Sequence, residues 1–120
     1  LTAGHKLSHW MWFVFPQIAG LGMSATSRKY AIPNIGAARA YLKHPVLGSR
    51  LDEATRLVLR HTQKSAEQIF GSIDAVKFRS SMTLFEAAGG LPIFADALTA
   101  FYGGERDQKT LAILAGKDRA

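Results

Sequence analysis

His9-Trp10-Met11-Trp12-Phe13-Val14-Phe15-Pro16-Gln17 gathers both tryptophans of the chain and two of its seven phenylalanines into one short run. Trp10 to Phe15 are consecutive apolar side chains, which leave no polar face on a helix or on a strand. A segment that is apolar all round is buried all round. The stretch therefore predicts a central helix, Lys6 to Phe15, about which the other elements pack. Pro16 limits it, because proline disfavours the helical region for the residue before it. Polar groups sit at its ends, His9 on one side and Gln17 on the other, and mark a candidate site.

Working outward, helix signals recur with glycine and proline between them. Ala37, Ala38 and Ala40 favour a helix over 35–43, ended by His44-Pro45. Leu47, Leu51, Ala54, Val58 and His61 recur at steps of four and three, the spacing of an amphipathic helix. Ser65-Ala66-Glu67-Gln68 has capping-box spacing and opens a short helix that Gly71 closes. Ser72 is read as the cap of a further helix, with Asp74 in its first turn. That helix runs through a stripe of Val76, Ser80, Thr83 and Leu84 to Gly89-Gly90. Pro92 falls in the first turn of a helix with Ile93, Phe94, Ala97, Leu98 and Phe101 on its apolar face. Asp107 caps a last helix, closed by Gly116. Upstream, Leu1-Thr2-Ala3-Gly4 reads as a helix end, and Ser24 or Thr26 as the cap of a short helix through Arg28 and Tyr30. No stretch alternates as a strand would. The expectation is an all-α fold, a single multihelical domain over residues 1–120 packed around a buried central apolar helix.

Composition narrows the function classes. With 48% hydrophobic residues among 120 the chain can bury a core and is too apolar to be disordered. It has no cysteine, so neither a disulfide framework nor a thiolate zinc site is available, which fits a cytoplasmic setting. The longest apolar run falls short of the ~20 residues of a membrane helix. The net charge of +6 bears on attraction to polyanions and not on fold. The basic residues are dispersed, and no nucleic-acid motif accompanies them. Binding driven by charge alone is the expectation there, weak and indifferent to sequence.

Several blocks carry a family resemblance: Ser8 to Gln17, Ser27-Arg28-Lys29-Tyr30-Ala31-Ile32, His44-Pro45-Val46-Leu47-Gly48-Ser49-Arg50-Leu51, Ile69-Phe70-Gly71, and Asp74 with Lys77 followed by Arg79-Ser80-Ser81-Met82-Thr83-Leu84-Phe85. Together the sequence resembles the "domain of unknown function 1810" family of small bacterial proteins over nearly its whole length. The resemblance implies a multihelical domain with a buried central helix, and a further N-terminal helix that this chain lacks. It brings no established activity and no catalytic residues. The label "calpastatin" attached to some members does not suit this chain, since such inhibitors are extended when free and this composition folds.

Candidate chemistry is sparse. His5 and His9, four apart, could meet one metal ion on a helix, but no glutamate of a zinc-protease pattern accompanies them; they read as structural, and no metal or cofactor is expected. Ser80, Ser81 and Thr83 would need a base with an orienting partner to act as nucleophiles. Hydroxyls inside a helix more often bond back to the preceding turn. Asp52, Glu53 and Asp74 are explained by helix dipoles. The mixed palette of His9, Trp10, Trp12, Gln17, Arg28, Tyr30, Lys77 and Ser81 offers aromatic faces, hydrogen-bonding groups and positive charge. It suits a small anionic ligand with a flat ring, nucleotide-like or ADP-ribose-like, bound or hydrolysed. The competing reading is a tryptophan core with Arg and Lys stems lying along it, and with it a noncatalytic interaction module.

Overall fold

The computed structural model describes residues 14–21, 31–89 and 91–116. These form six helices, and the only pairing of extended backbone among them is an isolated parallel bridge between Ile18 and Ile32. The fold is all-α.

Each helix begins where local chemistry supplies an acceptor for its free N–H groups. The first, α1 (Ile35–Lys43), is capped by Asn34, whose side chain accepts from the Ala37 N–H at 2.8 Å. The second, α2 (Leu47–Leu59), has no cap of its own at Val46. Instead His44 Nδ1 accepts from the N–H groups of Val46 and Leu47, each at 3.1 Å. The His-Pro pair that ends α1 thus also starts α2. The helix stops at Leu59, so His61 lies beyond it in a turn rather than on its stripe. The reciprocal capping box is present at α3 (Ala66–Phe70): Gln68 N–H donates to Ser65 Oγ, and Ser65 N–H to Gln68 Oε1.

Next, α4 (Ser72–Ala87) corrects the sequence reading in two ways. Gly71 is its N-cap, at φ 85°, a conformation open to glycine, and Ser72 is its first residue without a capping bond. One glycine therefore both closes α3 and opens α4. The expected stripe holds at Ser80, Thr83 and Leu84 but not at Val76, which is half exposed, and burial extends beyond the stripe to Ala75, Phe78 and the whole run Ser80–Phe85. The cause is its position. Among the described residues α4 packs against α1, α3, α5 (Pro92–Tyr102) and α6 (Gln108–Leu114), so its C-terminal half has scarcely any outer face. Pro92 opens α5 at its first position and left-handed Gly103 ends it. Asp107 caps α6, its carboxylate accepting from the Thr110 N–H at 3.0 Å.

The predicted central helix lies largely outside the described residues; of the burial expected there, Phe15 is fully enclosed. Its ring stands edge-on to Phe78 at 4.8 Å and to Phe70 at 5.9 Å, and Phe70 lies 4.9 Å from Phe78. The end of the tryptophan-rich stretch thus packs on α4. Just beyond it, Ile32 N–H donates to Gln17 O and Ala19 N–H to Ile32 O, both at 2.8 Å, which fixes 17–19 beside 31–32.

Polar ties close the periphery. Arg106 and Glu86 form a two-pronged ion pair, and its hydrogen bonds hold the Glu86 carboxyl below the usual glutamate range. Tyr102 O–H donates to Ala75 O, and burial raises its pKa well above the usual phenol value. It remains a donor throughout the neutral range.

Candidate functional site

The start of α4 borders a cleft of about 440 Å³, within the span typical of small-ligand sites. Gln17 and Leu21 line it from the segment after the tryptophan stretch, and Asp107 and Lys109 from the start of α6. From α4 itself come Ser72, Ile73, Val76, Lys77 and Ser80. Residues far apart in sequence meet here because α4 is the element on which both other segments pack.

The apolar wall is unusual for a surface. Ile73 is 74% exposed and Val76 51%, one helical turn apart, so the cleft presents hydrocarbon to solvent. Its charged groups are Lys77, Lys109 and the carboxylate of Asp107. Lys77 Nζ lies 3.3 Å from Asp74 Oδ1, a pairing within the first turns of the helix. Asp107 is committed to structure: its Oδ2 accepts from Thr110 N–H and from Thr110 Oγ1 at 2.6 Å. Its own N–H donates to Thr83 Oγ1 at 3.0 Å. This buried network fastens α6 to α4.

Gln17 differs from the other polar residues of the cleft. It is 2% exposed, and its Nε2 has no hydrogen-bond acceptor among the described residues. A buried donor left without a partner costs about 1–3 kcal/mol. Among the described residues the other buried side-chain orphans are Arg79 Nε and Ser81 Oγ, neither of which belongs to a residue lining this cleft.

Of the residues singled out in the sequence, the structure brings Gln17 and Lys77 to one cleft. Ser81 is fully enclosed and does not line it. His9, Trp10, Trp12, Arg28 and Tyr30 lie outside the described residues. Two hydroxyls of α4 bond back to the preceding turn, the commoner arrangement inside a helix. Ser80 Oγ donates to Val76 O at 3.1 Å and Thr83 Oγ1 to Arg79 O at 2.8 Å, each within its own helix. Lys109 and Ile73 were missed, since no local pattern shows which exposed residues will share a cleft. Among the described residues no group of His, Asp and Glu is placed to hold a metal ion, and no helix is long and apolar enough to cross a membrane.

Comparison with known proteins agrees with this architecture. A solved structure of a conserved hypothetical protein from Mycobacterium tuberculosis superposes with a TM-score of 0.92 and 48% sequence identity. The match covers 95% of this chain and 82% of that one. No curated protein matches at a significant level. The model of the family described as "Protein of unknown function (DUF1810)" matches residues 1–114. The chain belongs to the DUF1810 family.

Proposed function

We propose that the cleft at the start of α4 binds a small anionic ligand. The observation that carries this reading is Gln17, a residue lining a cleft that also holds Lys77 and Lys109, whose buried Nε2 has no acceptor among the described residues. An orphan donor beside two ammonium groups matches a ligand with acceptor oxygens and negative charge. Ile73, Val76 and Leu21 would cover its apolar part. The aromatic and cationic palette of the sequence, its tryptophans lying outside the described residues, makes a nucleotide-like or ADP-ribose-like compound the first class to try.

Binding, rather than hydrolysis, is the role proposed. The hydroxyls of Ser80 and Thr83 are engaged with backbone carbonyls, and His44 serves as a helix cap through Nδ1.

The test is a thermal-shift screen of inorganic phosphate, nucleoside mono- and diphosphates and ADP-ribose, with uncharged nucleosides as controls. A ligand that binds only the folded state raises the melting temperature by mass action, worth about 2.7 kcal/mol at a hundred times Kd. At least one anion should raise the melting point, the nucleosides should not, and Lys77→Gln should reduce the response. A flat response to every anion, or an unchanged response in Lys77→Gln, sinks the reading.

A further inference from the structure

On another part of the molecule, two further clefts of about 490 and 560 Å³ meet at their shared residues Leu91 and Pro92, and the pair is treated as one groove. It passes from α1 and the end of α4 to the seam between α2 and α5. Its apolar lining includes Leu42 and Phe94 on one side and Leu59 and Ile93 on the other. Leu91, at the junction, is 51% exposed. Four cations border it: Arg39 and Lys43 from α1, Arg56 and Arg60 from α2. Asp52 and Asp96 are the acids there. Arg56 is paired with Asp52 at 3.1 Å. No ion pair engages Arg39, Lys43 or Arg60 among the described residues, leaving three uncompensated cations against the single Asp96.

We propose that this groove docks an acidic peptide segment of a partner protein, with an apolar side chain seated at Leu91 and carboxylates meeting Arg39, Lys43 and Arg60. Charge complementarity selects an acidic occupant, because rims of matched sign steer and orient association. The exposed apolar surface selects a peptide over a nucleic acid, whose backbone would bring phosphates to the cations and leave the half-exposed Leu91 and the partly exposed Leu42 uncovered. The proposal does not rest on the anion cleft at the start of α4, which shares no residue with this groove.

The experiment is fluorescence anisotropy with a labelled peptide in which leucines alternate with glutamates. Its controls are the same peptide with serine for leucine, and oligothymidine of equal charge. Two variants of the whole chain accompany them, Arg60→Glu and Leu91→Ser. Leu91 is the N-cap of α5 without a side-chain capping bond, and serine is a preferred cap. Leu91→Ser should therefore melt no lower than the parent, so a loss of binding cannot be put down to unfolding. The expected result is saturable binding of the leucine–glutamate peptide, weakened about tenfold or more, roughly one anchoring contact, by either variant and by serine in the peptide. Failure of that peptide to bind, equal binding of the serine peptide or of oligothymidine, or unchanged affinity in both variants overturns the proposal.

Discussion

Phe78→Ala is expected to lower stability by about 3–5 kcal/mol, the usual range for a buried phenylalanine truncated in a core. Phe78 is fully enclosed and is the ring on which the aromatic cluster converges, with Phe15, Phe70, Phe101 and Tyr102 all within aromatic contact range. The cavity would open between α4, α3, α5 and the segment that carries Phe15, so no single neighbour can fill it. Against a total stability on the order of 5–15 kcal/mol, this is a large fraction. Urea unfolding should show a lower midpoint with the slope unchanged. A loss below about 1 kcal/mol would mean that Phe78 is not the centre of the core.

Gly48→Ala is the second large effect, and two principles oppose each other there. Gly48 is inside α2, where alanine is normally better by about 1 kcal/mol. A Cβ at Gly48, however, would stand 2.2 Å from Leu42 O and 2.9 Å from Leu42 C. Those are backbone atoms of α1 and cannot rotate away. The two helices must separate, and overpacking of this kind costs about 1–3 kcal/mol or more. The steric term wins, with an expected net loss of at least about 2 kcal/mol. A melting temperature equal to or above the parent's would show that α1 and α2 do not approach so closely.

The fold was legible wherever the information is local. The Ser65, Pro92 and Asp107 signals act within one turn, and the starts of α3, α5 and α6 follow from them. What failed was the facing of α4. A single apolar stripe is expected only when a helix has one buried side, and a helix packed on four others loses that periodicity. The His44 cap was also hidden, because histidine is not a usual cap and its bond depends on the turn made by Pro45. At the site, Gln17 and Lys77 stood out by chemistry. Lys109 and Ile73 did not, since their roles come from tertiary proximity alone. That Gln17 lacks an acceptor among the described residues could not be read from sequence at all, because it depends on every atom packed round it.

The most direct test of the central claim is Gln17→Met, measured for stability and for ligand response together. Methionine keeps the length and flexibility of the side chain and removes the amide. Where an orphan donor exists for a ligand, its removal should leave the free protein as stable as the parent or more so and should abolish the shift produced by the anion that stabilises the parent. A variant clearly less stable than the parent, or one that still responds fully to that anion, would contradict the claim that the Gln17 amide is kept for a ligand.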